Sequence, residues 1–116
     1  MKHAACSEDE LIRSPVIPVN VDGRDVAVCR LPTGEIRAIR DVCPHRQAKL
    51  SRGKLLQALG AADVGLYAMT DTYVLRCPYH GYEFDLATGR CLGDPEKVRV
   101  KTYHATVVDG TVFIES

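Results

Sequence analysis

The order of apolar and polar positions along the chain predicts short strands separated by turns. Residues 15–21 form an extended apolar run, residues 26–29 form a second, and residues 36–39 form a third. The pair Asp22-Gly23 separates the first two runs and is typical of a tight hairpin turn. Three strands in so short a stretch have the spacing of an antiparallel meander.

The C-terminal third repeats this pattern. Residues 98–108 alternate as a half-buried strand, Asp109-Gly110 turns the chain, and residues 111–115 return, which predicts a hairpin. Residues 72–76 form another β-rich run, whereas residues 54–62 carry apolar side chains at a helical period and predict a short helix. The fold class expected is all-β: a small sandwich or partly open barrel of antiparallel sheets, with irregular loops over residues 41–53 and 77–97.

Length and charge narrow the class of protein. The 116 residues suit one domain, expected over residues 14–116, and residues 1–13 are expected to be a polar tail. Fifteen basic and fifteen acidic residues give no net charge, which argues against a nucleic-acid partner. No apolar run has the length of a membrane span, and no targeting signal is evident, so we expect a cytoplasmic protein whose five cysteines stay reduced.

Two short motifs hold the candidate chemistry. The first is Cys43-Pro44-His45 and the second is Cys77-Pro78-Tyr79-His80, and each brings a thiol and an imidazole to a loop stiffened by proline. Four such groups could hold a structural zinc ion, could form a cysteine nucleophile activated by histidine, or could bind a two-iron cluster. The four residues alone leave these three interpretations open.

The residues around the motifs favour one of these three interpretations. The first motif continues into Arg46, and the second continues as His-Gly-Tyr-Glu-Phe-Asp-Leu-Ala-Thr-Gly-Arg up to Arg90. This closely resembles the Rieske iron–sulfur family, whose signature is C-x-H and, later, C-x-x-H-G with a following F-D-x-x-T-G-like turn. The resemblance covers roughly residues 15–116. It implies one [2Fe–2S] cluster per chain, with Cys43 and Cys77 on one iron, His45 and His80 on the other, and a cluster-binding subdomain formed by two ligand loops at about residues 41–97.

Two departures from relatives bear on the expected chemistry. Many relatives have fewer residues between the motifs, and the additional ones here fall around residues 54–70. The respiratory branch has one more cysteine in each loop, paired as a disulfide, and a tyrosine whose hydroxyl bonds to the cluster. Here Ala48 and Tyr79 occupy the cysteine positions and Phe84 the tyrosine position.

The donor set also sets an expected range for the reduction potential. Two thiolates and two neutral imidazoles leave the oxidised centre uncharged, whereas four thiolates would leave it at −2, so histidine ligation favours reduction. The window for such centres is about −150 to +300 mV. Because the disulfide and the hydroxyl are missing, we expect a midpoint below about 0 mV within that window.

The functional expectation is a one-electron carrier. The chain has no Gly-rich nucleotide loop, flavin fingerprint or second metal motif, so we expect no small-molecule substrate and no catalytic residues. The resemblance implies a ferredoxin, the component of an oxygenase system that passes electrons from a flavin reductase to a terminal non-haem iron oxygenase. Two alternatives remain: a zinc-binding structural or interaction module, and a regulatory or small subunit of a reductase complex.

A group of basic residues near the first loop has two interpretations. It could dock an acidic partner, or it could be an ordinary solvated surface. Its members are Arg37, Arg40, Arg46, Lys49, Arg52 and Lys54.

Overall fold

The computed structural model describes residues 2–44, 48–63, 66–79 and 81–115. Strands dominate this part of the chain, accompanied by one short helix and one turn of 3₁₀ helix at Leu50–Arg52. The elements are β1 Lys2–Ser7, α1 Glu8–Arg13, β2 Val16–Val21, β3 Arg24–Arg30, β4 Ile36–Arg40, β5 Lys54–Asp63, β6 Leu66–Arg76, β7 Glu83–Asp85, β8 Thr102–Val108 and β9 Thr111–Glu115. No helix within these residues is long and apolar enough to cross a membrane.

The strands form two antiparallel sheets. Six of them pair in the order β1-β9-β8-β4-β3-β2, in a nearly closed, barrel-like sheet, and the other three pair in the order β5-β6-β7. Two buried clusters fill the molecule, one within the six-stranded sheet and one between that sheet and the smaller one. This architecture confirms the prediction of an all-β fold with a small barrel of antiparallel strands.

Strand β3 lies between the two buried clusters. Val26 and Val28 face the first cluster, and Ala27 and Cys29 face the second, so all four side chains are buried. A strand covered on both faces has no polar face, which is why this run shows apolar residues at every position.

The predicted meander and C-terminal hairpin are confirmed. Their turns at Asp22-Gly23 and Asp109-Gly110 place all four residues at positive φ, between 51° and 81°. A type I′ turn requires positive φ at both central positions, and Asp-Gly accommodates it at small cost. Residues 98–101, however, do not continue the β8 strand, because only Arg99 makes a single bridge, to Arg90, and β8 begins at Thr102.

The predicted helix over residues 54–62 is wrong. Residues 54–63 form strand β5, which pairs with β6 through contacts such as Leu55 opposite Leu75 and Leu56 opposite Val74. The helical spacing of leucines was a weak local signal, and Gly60 weakened it further. Cross-strand pairing with β6, whose Val74 and Leu75 are buried, decides the conformation instead.

Residues 2–13 are not a polar tail as the sequence suggested. Strand β1 pairs with β9 along its length, and the short helix α1 buries Leu11 in the barrel cluster. Ser7 begins the helix with a capping box, because its hydroxyl accepts from the Glu10 backbone N–H while the Glu10 carboxylate accepts from the Ser7 N–H. The Ser-x-x-Glu spacing was the available signal for this helix.

Candidate metal centre

The structure brings the two predicted cysteine ligands together. Cys43 follows β4 and Cys77 follows β6, and both are buried in the cluster between the two sheets. Their side chains share a hydrogen bond. His45 and His80, the other two predicted ligands, lie outside the described residues. Among the residues that are described, no three His, Cys, Asp or Glu side chains gather as a metal site.

Both ligand loops are closed in the same way. The backbone N–H of Cys43 donates to the Ala48 carbonyl at 2.8 Å, and that of Cys77 donates to the Tyr82 carbonyl at 2.7 Å. Each bond spans five residues, and the positions enclosed in sequence include 45 in the first loop and 80 in the second. Two loops with the same closure, each starting at a buried cysteine, form a matched pair of candidate ligand loops.

A buried carboxylate holds the first loop. Asp41 lies fully buried two residues before Cys43. Its two oxygens accept from the Ser51 backbone N–H and the Ser51 hydroxyl, each at 2.6 Å, while the Asp41 N–H donates to the Asp25 carbonyl at 2.9 Å. The start of the loop is thereby tied to the 3₁₀ turn that follows it. Sequence reasoning missed this role, because nothing local pairs Asp41 with Ser51.

At Gly53, the chain that leaves the first loop packs directly against the backbone of Arg76, the residue before Cys77 and the second loop. A β-carbon at position 53 would lie 1.7 Å from the Arg76 carbonyl oxygen, so only glycine fits without displacing backbone. Lys54 then pairs with Arg76 as the first rung of β5 and β6. This close approach fixes the spacing of the two loops.

The base of the second loop is tied by an ion pair. Arg76 donates to Glu83 through Nε at 3.1 Å and Nη2 at 2.7 Å, across the β6–β7 rung where those two residues face each other. Within the loop, Gly81 adopts a φ of +70°, in the left-handed region that favours glycine. Gly81 and the ion pair therefore define how the end of this loop joins β7.

The surroundings of the cysteines suit a metal ligand. Burial raises the pKa of the Cys77 thiol, the hydrogen bond from the Tyr79 backbone N–H lowers it, and the neighbouring Cys43 raises it again. Two adjacent thiols in an apolar core do not ionise readily by themselves, but a bound cation inverts this preference and deprotonates them. No disulfide competes, since all five cysteines are free. The donor set and its burial therefore fit a thiolate-bound iron.

Two other cysteines share the buried cluster. Cys91 starts a third loop, closed by a hydrogen bond from its N–H to the Val98 carbonyl at 2.9 Å. Cys29 lies on β3, and burial, followed by the Asp41 charge, raises its pKa to about 12. Both have the environment of core residues.

The outer face of the loops is open to solvent. Pro44, Pro78 and Gly81 are exposed, and Tyr79 is 58% exposed. The basic group beside the first loop is partly neutralised, because Arg37 pairs with Glu35 at 2.6 Å and Lys49 with Asp25 at 3.5 Å. Arg46 lies outside the described residues.

Comparison with known proteins identifies the family of this chain. The family model of the Rieske [2Fe-2S] domain matches residues 1–104. The ferredoxin component of the naphthalene 1,2-dioxygenase system of Pseudomonas putida is 27% identical over 111 residues, covering 96% of this chain and 91% of that protein. The oxygenase component of dicamba O-demethylase from Stenotrophomonas maltophilia is 34% identical over 93 residues, or 80% of this chain, but the match spans only 22% of that longer protein.

A solved structure extends the likeness to the whole fold. An NADH-dependent nitrite reductase small subunit from Mycobacterium tuberculosis superimposes with a TM-score of 0.79 at 30% identity, covering 98% of this chain and 93% of that one. The chain therefore belongs to the Rieske [2Fe–2S] domain family, and the cofactor of such a domain is one Rieske-type [2Fe–2S] cluster.

Proposed function

We propose that Cys43 and Cys77 hold one iron of the cluster and that His45 and His80 hold the other. The support is the burial of both cysteines side by side and the matching closure of the two loops that start at them. When bound, the cluster supplies reversible uptake of one electron. On the same grounds, the segment from about residue 41 to 97 serves as a cluster-binding subdomain carried by the larger sheet.

The residues of the chain have distinct tasks in this site. The apolar cluster around Cys43 and Cys77 excludes water from the thiolates, and the Tyr79 N–H donates a hydrogen bond that stabilises the negative charge on the Cys77 sulfur. The short closing bonds and Gly53 keep the loops at a fixed spacing, so gain or loss of an electron requires little movement. The exposed tips at Pro44, Pro78 and Tyr79 leave room for a protein partner to approach.

The electron carrier is proposed to be a ferredoxin that passes electrons from a flavin reductase to a terminal non-haem iron oxygenase. The observation that carries this choice is the end-to-end match to a dioxygenase ferredoxin component, which covers nearly all of both chains. Longer oxygenase components match only in a part of their length. A carrier between two enzymes makes brief contacts with each of them.

A small subunit of a nitrite reductase is the second candidate, favoured by the whole-chain match to such a subunit. The two roles differ in how the chain is held. A carrier dissociates from its partners at each cycle, whereas a subunit stays bound in a fixed ratio to a larger chain.

Affinity-tagged protein purified from its own host cells, followed by size-exclusion chromatography, tests the proposal. The ferredoxin role predicts elution without a larger subunit, and re-oxidation of the reduced protein in stopped-flow mixing with the host's oxygenase. The re-oxidation rate should rise with oxygenase concentration. Elution in a fixed ratio with a large reductase chain, without transfer to the oxygenase, would contradict it.

A further inference from the structure

Asp41 stands apart from every other acidic or basic residue that the structure describes. It is the one charged side chain among them that is fully buried. The three ion pairs seen within those residues, Arg37–Glu35, Lys49–Asp25 and Arg76–Glu83, do not include it. Among the described residues, its side chain is held by the two donors of Ser51.

Both side-chain oxygens of Asp41 act as hydrogen-bond acceptors, an arrangement that suits a carboxylate. Both donor–acceptor distances are 2.6 Å, and the hydroxyl bond has the length typical of an O–H donor on a charged oxygen. Burying a charge is costly, and a neutral asparagine could still accept the Ser51 N–H. Holding the loop therefore does not by itself require a charge at this position.

The charge lies close to the candidate metal centre along the chain and through the core. Cys43 is two residues away, and Leu50, the neighbour of Ser51, packs in the same buried cluster as Cys43 and Cys77. Water screens charges poorly in such an interior, so the field of the carboxylate extends into the cluster of side chains. In that cluster, burial raises the pKa of the Cys29 thiol, and the Asp41 charge raises it further.

We propose that the buried Asp41 carboxylate lowers the reduction potential of the metal centre held by the two loops, in addition to fixing the first loop. Reduction adds one negative charge to that centre, and a fixed negative charge nearby disfavours the gain. Two unit charges about 10 Å apart, at an effective dielectric constant of about 20, interact strongly enough to shift an equilibrium about tenfold. This inference rests on the proposed function, because it assumes a redox cluster in the loops.

Three variants distinguish the effect of the Asp41 charge from the effect of Asp41 on the position of the first loop. Asp41→Asn removes the charge and keeps an acceptor for Ser51. Ser51→Ala keeps the charge and removes one hydrogen bond. Asp25→Asn removes an exposed carboxylate at the same end of the sheet and is the matched control. Spectroelectrochemical titration gives each midpoint potential, and the EPR spectrum of each reduced protein reports whether iron ligation is unchanged.

The expected result is an upward shift for Asp41→Asn alone. The ratio of reduced to oxidised protein at a fixed potential should rise about tenfold, which is about 59 mV for one electron. Ser51→Ala should leave the midpoint unchanged or lower, because the carboxylate is then less compensated, and Asp25→Asn should leave it unchanged.

Other outcomes overturn the inference. No rise in Asp41→Asn, an equal rise in Ser51→Ala, or an equal rise in Asp25→Asn would each show that the buried charge does not set the potential. If Asp41→Asn does not bind iron, Ser51→Ala decides alone, since a rise there contradicts the inference and a fall or no change supports it. Iron and sulfide in the unaltered protein are measured first, so failure of the proposed function is seen separately.

Discussion

At position 53 the absence of a side chain sets the distance between the two candidate ligand loops. Gly53 has an ordinary negative φ, so its requirement is one of space: a β-carbon would lie 1.7 Å from the Arg76 carbonyl oxygen. Arg76 directly precedes Cys77, and any displacement there is passed to the second loop. A residue distant in sequence from Cys77 thus controls the position of that cysteine.

Gly53→Ala should destabilise the protein and reduce its iron content. Overpacking against backbone costs at the upper end of the usual range, about 3 kcal/mol in the free energy of unfolding. Urea unfolding and iron analysis measure the two effects. Gly93→Ala is the matched control, since a β-carbon there meets nothing within 4 Å, and its unfolding free energy should change by less than about 0.5 kcal/mol. Equal unfolding free energies and equal iron contents in the two variants would contradict the close approach of Gly53 to Arg76.

The four buried cysteines of the second cluster offer a direct test of the ligand assignment. Cys43→Ala and Cys77→Ala should lose the bound iron, because each removes a thiolate donor. Cys29→Ala and Cys91→Ala should retain it, although each leaves a small void in the same core. Iron per chain after anaerobic purification is the measurement. Loss of iron from Cys91→Ala with retention in Cys43→Ala would overturn the assignment.

Among the elements, the β5–β6 hairpin extends well beyond the rungs that join the two candidate ligand loops. Its base carries the loops through the Lys54–Arg76, Leu55–Leu75 and Leu56–Val74 pairs, and β7 adds only beside residues 74–76. The outer part of the hairpin makes no rung with β7. The additional residues noted around 54–70 fall within this hairpin.

Shortening this hairpin should leave the metal centre intact. Leu59 and Met69 face each other, so replacing residues 60–68 by Asn-Gly joins a paired rung through a two-residue turn. We expect iron content and midpoint potential equal to those of the full chain. Loss of the iron in this variant, in a protein that still folds by circular dichroism, would show that the hairpin supports the centre.

The elements also show what sequence reasoning could reach. The Asp-Gly turns and the cysteine and histidine motifs are local signals, and they gave the meander, the C-terminal hairpin and the positions of Cys43 and Cys77. The conformation of β5 and the pairing of β1 with β9 depend on partners far away in the chain, such as Lys2 with Glu115. The Asp41–Ser51 and Gly53–Arg76 contacts are equally non-local, so the residues that position the loops could not be identified from the sequence.

For the whole molecule, the balance of charge and hydrogen bonds around the site sets the potential. The buried Phe84 brings no hydroxyl, Ala48 and Tyr79 cannot form a disulfide, and Asp41 adds a buried negative charge. All three features disfavour an additional electron. The molecule is thus suited to the low end of the range for histidine-ligated clusters.

Protein-film voltammetry should give a midpoint below about 0 mV, within the window of about −150 to +300 mV for such clusters. The missing hydroxyl at Phe84 removes a hydrogen-bond donor and Asp41 adds a negative charge, and both changes lower the potential. A midpoint well above about +100 mV would contradict this balance of charges and donors.

The content of iron and acid-labile sulfide in anaerobically purified protein tests the central claim most directly. A Rieske cluster held by the two loops predicts about two irons and two sulfides per chain. Zinc in place of iron, or iron without sulfide, would show that the loops hold a different centre.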